Sequence, residues 1–88
     1  MKEETIKVRN RRGIHARSAT LIVKTSSKFN SRITIVKDSM EINAKSIMGV
    51  LMLAAEYDTR LRIIAEGEDE DKALEEMKNL FEHGLIEE

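Results

Sequence analysis

Arg9-Asn10-Arg11-Arg12-Gly13-Ile14-His15-Ala16-Arg17-Ser18-Ala19-Thr20 is the stretch on which the fold turns. Just before the break in it, Thr5-Ile6-Lys7-Val8-Arg9 alternates polar and apolar residues, the period of a strand with one buried face. Arg11-Arg12-Gly13 interrupts that pattern. From Ala16 the period becomes helical: Ala19, Ile22, Val23 and Ser26 share one face, and Phe29 closes its end. The whole stretch from Arg9 to Thr20 holds four of the fifteen Lys/Arg residues and His15, one of two histidines. His15 stands where the first backbone N–H groups of a helix have no partner in an earlier turn, a setting suited to an anion. Arg17 adds a planar fork that grips a phosphate through two bonds. The stretch therefore predicts that His15 carries a phosphoryl group. A neutral imidazole is a good nucleophile toward phosphorus, and the transfer asks for little beyond positioning and charge compensation. The residues alone leave a second reading open, in which His15 is a solvated or capping residue and the arginines an ordinary exposed face.

Further along, Arg32-Ile33-Thr34-Ile35-Val36 is rich in β-branched residues and predicts a second strand. Lys37-Asp38-Ser39 reads as a turn, after which Met40, Ile42 and Ala44 alternate with Glu41 and Asn43 to complete a hairpin. Ser46 precedes the apolar run Ile47–Ala55, an N-cap signal for a second helix that Asp58-Thr59 is expected to end. That run is apolar around more of its circumference than one buried face requires. Ile47, Met48, Leu51 and Met52 are thus expected to supply an exposed, adaptable contact surface. Residues 60–66 alternate again as a strand. Gly67 leads into an acidic helix start at Glu68-Asp69-Glu70-Asp71, and Ala73, Leu74, Met77, Leu80 and Phe81 form an apolar stripe. Gly84 is expected as a left-handed residue after that helix, with Leu85 folding back on Leu80. The order strand, helix, strand, strand, helix, strand, helix predicts an open-faced α+β sandwich, residues 1–88 forming one domain.

Composition narrows the function classes. The chain has 88 residues and no cysteine, which excludes disulfides and thiolate metal sites. His83, the other histidine, has no ligand-spaced companion, so no metal is implied. No apolar run is as long as a membrane span or shaped like a signal peptide, so a cytoplasmic protein without membrane insertion is expected. The net charge of −1 hides a division: residues 1–45 hold eleven Lys/Arg against four Asp/Glu, and residues 46–88 four against twelve. A basic front half attracts an acidic protein or a phosphorylated group. Nucleic acid is disfavoured, because Phe29, Tyr57 and Phe81 are the only aromatic residues available for stacking.

Gly13-Ile14-His15-Ala16-Arg17 followed by Ala19-Thr20, and later Lys45-Ser46-Ile47-Met48-Gly49-Val50-Leu51, resemble the two signature stretches of the HPr family. These are the histidine-containing phosphocarriers of the bacterial phosphoenolpyruvate–sugar phosphotransferase system. The resemblance spans essentially the whole chain, and two motifs in register are more specific than either alone. It implies a βαββαβα fold, a four-stranded antiparallel sheet covered on one face by three helices. It implies that His15 accepts phosphate on Nδ1 from enzyme I and passes it to the A-domains of sugar-specific permeases, with Arg17 binding the phosphate. The protein would then be a monomeric carrier with a transient phosphohistidine rather than a turnover enzyme, needing no cofactor. Arg12, Ala16, Thr20, Lys24, Ile47, Met48, Gly49, Leu51 and Met52 would meet the partners. Ser46 matches a serine phosphorylated in many family members by an HPr kinase/phosphorylase, which would open contact with a catabolite-control transcription factor; the residues alone favour reading Ser46 as an N-cap only. The resemblance is imperfect at Ser18, where the family usually has proline, and at Ala54 and Asp58, where glycine is frequent. Ser18 is expected to loosen the helix start and to bring its hydroxyl within reach of a phosphate. These departures keep a specialised, mainly regulatory paralogue in view.

Overall fold

The computed structural model describes residues 1–86. Strand β1 covers Lys2–Lys7, helix α1 Ala16–Ser26, β2 Arg32–Lys37, β3 Met40–Asn43, α2 Ile47–Met52, β4 Arg60–Glu66 and α3 Glu70–Asn79, followed by a π-helical turn at Leu80–Gly84. The four strands form one antiparallel sheet in the order β1-β4-β2-β3. Thus β4, late in the chain, lies centrally between β1 and β2, and the sheet cannot close until most of the chain has formed.

Alternation along the strands sorts the two faces. Ile33 and Ile35 of β2 and Leu61, Ile63 and Ala65 of β4 are buried together with Ala19 and Ile22 of α1, Val50 of α2, and Ala73, Leu74 and Met77 of α3. The intervening residues Arg32, Arg60 and Glu66 remain on the open face. A half-covered sheet needs this period of two, since one residue of slip would turn the apolar set outward. The expected open-faced sandwich is the observed one.

Three local expectations are corrected. Helix α2 stops at Met52, six residues before Asp58. Leu53 and Ala54 donate backwards to Val50 O and Leu51 O at 3.2 Å, tightening the last turn, and Ala54 then takes φ +48°. Lys37 Nζ caps the Leu53 carbonyl at 3.0 Å. This early stop lets Leu53 and Ala55 bury their side chains, while Asp58 makes a second left-handed turn at φ +74°. Gly84 does not adopt a left-handed conformation; the chain widens into a π turn in which Leu85 N–H donates to Leu80 O at 2.9 Å, seating Phe81 and Leu85 in the core. Finally, β1 starts at Lys2 and its regular ladder ends at Lys7, although Val8 still bonds to Thr59 O and Asp58 N–H.

A polar staple joins α3 to the start of β2. Asp69 accepts from Asn30 N–H and Ser31 N–H at 2.9 Å each and from the Ser31 hydroxyl. These bonds, the Ser31 hydroxyl first, hold the Asp69 carboxyl below the usual carboxylate range.

Candidate functional site

The site is built from the loop after β1. Gly13 takes φ +71° and packs against the backbone of residues 55 and 56, so close that a Cβ would lie 2.6 Å from Ala55 O. Only a residue without a side chain reaches that conformation in that space. Its neighbour Ile14 donates to Ala55 O at 2.8 Å and buries its side chain. The loop is thereby tied to the segment that follows α2. His15 comes next as the N-cap of α1, with extended backbone at φ −135° and ψ −169°. His15 as a residue is half-buried, and Ala16 and Arg17, exposed, begin the first turn.

Ser18 corrects the expectation drawn from its missing proline. It is 1% exposed, and its hydroxyl is committed to the loop rather than turned toward a phosphate. Oγ accepts from His15 N–H at 2.8 Å and lies within donating reach of His15 O at 3.1 Å and Gly13 O at 3.4 Å. With His15 at the N-cap and Ser18 three residues on, facing the ring with its own N–H, the arrangement has capping-box geometry. Hydrogen bonds here supply the restraint that a proline ring supplies through its fixed φ.

Around this centre the predicted residues fall into two strips. Arg12 is exposed on the loop; Ala16, Thr20 and Lys24 follow one another at four-residue spacing along the outer face of α1, with Thr20 Oγ1 donating to Ala16 O at 2.9 Å. Helix α1 packs beside α2. On α2, Ile47, Met48, Leu51 and Met52 are 40%, 66%, 39% and 62% exposed, an apolar patch too large for a helix in a finished core. Gly49 sits on the inner side of α2, where a Cβ would meet Ile42 at 3.3 Å. Ser46 caps the helix, its hydroxyl accepting from Gly49 N–H at 3.1 Å. Two residues without an assigned role in the sequence reading also belong to the site: buried Asn10, and Tyr57, over whose ring Arg11 lies 6.0 Å from the centroid. Asn10 was legible only as a polar residue in an arginine loop; its burial needs the fold.

These features define a class: an open-faced α+β domain organised around a histidine at the mouth of its first helix, with an apolar second helix alongside. Comparison with known proteins makes the class specific. A family profile described as "PTS HPr component phosphorylation site" matches residues 2–83. The phosphocarrier protein HPr of Treponema pallidum (strain Nichols) is 46% identical over 85 residues, 97% of each chain. The HPr-like protein Crh of Bacillus subtilis (strain 168) is 42% identical over 77 residues, 88% of this chain and 91% of that one. The crystal structure of HPr-C-His from Thermoanaerobacter tengcongensis superposes with a TM-score of 0.95 at 44% identity, covering 100% of this chain and 99% of that one. The chain belongs to the HPr family of phosphocarriers of the phosphotransferase system. Among the described residues no helix is long and apolar enough to cross a membrane.

Proposed function

We propose that this protein takes a phosphoryl group on His15 from phosphoenolpyruvate-charged enzyme I and delivers it to sugar-specific permease A-domains in the cytoplasm, residues 1–88 acting as one carrier domain. The observation that carries the reading is the placement of a half-buried histidine at the N-cap of α1, beside Arg17 and next to the exposed apolar face of α2. An imidazole nitrogen attacks phosphorus, an N–P bond forms as the donor's bond to phosphorus breaks, and the same exchange in reverse unloads the group. The first-turn N–H groups and the Arg17 guanidinium offset the charge on the phosphoryl oxygens. Arg12, Ala16, Thr20, Lys24 and the α2 patch form the docking face, with Gly49 keeping α2 close to the sheet. Incubation with phosphoenolpyruvate and enzyme I is expected to give an acid-labile, base-stable phosphate that maps to His15 and is lost in His15→Ala. Absence of label, with a known carrier labelled in parallel, refutes the proposal.

A second reading, a regulatory paralogue acting through phospho-Ser46, is favoured by the similarity to a protein named HPr-like and by the N-cap position of Ser46. A phosphoryl group there adds nearly two negative charges beside the docking face and is stabilised by the helix start. Treatment with HPr kinase/phosphorylase and ATP is expected to modify the wild type and not Ser46→Ala. If Ser46→Asp leaves the affinity for enzyme I and for a catabolite-control transcription factor unchanged, the regulatory reading fails.

A further inference from the structure

We infer that Asn10 is a positioning residue for phosphoryl transfer, holding the His15 loop in its reactive geometry through the carbonyl of Gly13. The inference rests on the reading of His15 as the acceptor. Asn10 is 1% exposed, although its neighbours Arg9, Arg11 and Arg12 all face solvent. Its main-chain carbonyl accepts from Gly13 N–H at 2.9 Å, and its side-chain Nδ2 donates to Gly13 O at 2.5 Å. Residue 13 is thus held on both its polar groups by residue 10.

Two further contacts carry the hold to the imidazole. Gly13 O is also within reach of the Ser18 hydroxyl, which accepts from His15 N–H. On the other side of the loop, Ile14 N–H is fixed on Ala55 O. Asn10, Gly13 and Ser18 therefore bracket the two residues that end in His15.

The choice of asparagine is informative because it carries a penalty. Oδ1 is buried with no hydrogen-bond partner among the described residues. An apolar side chain of similar volume would avoid burying an unpaired acceptor and would still permit the main-chain turn. The amide cannot be reversed to relieve this, since Oδ1 would then face the Gly13 carbonyl, two acceptors in opposition. What asparagine adds over an apolar residue is the bond from Nδ2 to Gly13 O, two residues from the nucleophile. Buried polar groups kept at such a cost belong where a loop must be held in one arrangement.

The test compares wild type with Asn10→Leu, which removes both amide atoms at similar volume, and with Asn10→Ala. Each is the varied substrate in phosphoryl transfer from enzyme I and phosphoenolpyruvate, at a temperature where circular dichroism shows it fully folded. Both variants are expected to lose about tenfold or more in kcat, as a displaced nucleophile does. KM should stay within twofold, because the α2 docking face is untouched. A kcat within twofold of wild type in both variants, or a loss confined to KM, overturns the inference while leaving the carrier reading in place. Failure of the wild type to accept label on His15 overturns the carrier reading and this one with it.

Discussion

Gly13→Ala is the sharpest test of how the loop places its histidine. Two costs add. Alanine at φ +71° is strained by about 1–2 kcal/mol relative to glycine. Its Cβ would also stand 2.6 Å from Ala55 O and 3.0 Å from Glu56 Cα, both backbone atoms that no rotamer change can clear. Moving the Ala55 carbonyl away breaks its bond from Ile14 N–H, worth about 1 kcal/mol. Against this, alanine lowers the entropy of the unfolded chain, returning roughly 0.5–1 kcal/mol. The net loss is about 2 kcal/mol, which for a domain of this size lowers the melting temperature by roughly 8–16 °C. Urea unfolding followed by circular dichroism should show the midpoint falling with an unchanged slope. Gly13→Asn, more tolerant of positive φ but carrying the same Cβ, should fall between the two. A Gly13→Ala protein within about 0.5 kcal/mol of wild type would refute the account of this loop, since one substitution tests both the strain and the contact.

Ser46→Ala removes the acceptor for Gly49 N–H and should cost about 1 kcal/mol in a chemical melt; no loss would mean that α2 is held by packing alone. Ala54→Gly relieves φ +48° at the end of α2 and, after the added chain entropy, should stabilise by roughly 0.5–1 kcal/mol; a destabilised variant would count against strain at this position. Met48→Ala, on an exposed side chain, should leave stability within about 0.5 kcal/mol while weakening enzyme I binding, and unchanged binding by calorimetry would remove Met48 from the docking face. The Asp69 carboxyl is held low in the folded state by the Ser31 hydroxyl and then the Asn30 amide, so the unfolded chain binds that proton more readily. Its stabilisation is complete above the unfolded value of about 4 and is lost as pH falls through the lower folded value. Asp69→Asn should flatten this part of the acid limb of the stability curve, and an unchanged limb would show that the staple does not titrate.

The two relatives with different names frame the biological question. Similarity to an HPr and to an HPr-like protein leaves His15 chemistry and Ser46 chemistry as separable proposals, each with its own label. The structure bears on this choice at Ser18. The residue that departs from the family's usual proline is buried and bonded to the His15 backbone, so the departure leaves the helix start braced.

Element order, the buried face of each strand and the start of each helix are legible in the chain before it folds. These are set by neighbours: alternation along β4, the change of period at Ala16 and the serine before Ile47 act over one or two turns of chain. The sequence also marked His15, because a histidine and an arginine at a helix start have chemistry whatever the rest of the fold does. That α2 ends at Met52 emerges from packing, since it depends on Lys37 reaching the Leu53 carbonyl and on Ala55 O accepting from Ile14 N–H. The same holds for the π turn that seats Leu85, the burial of Asn10, and the conversion of Ser18 from a gap in a motif into a brace. Each of these rests on a contact between segments distant in the chain or on space left by packing. Local pattern carries no information about either until the sheet has closed around β4.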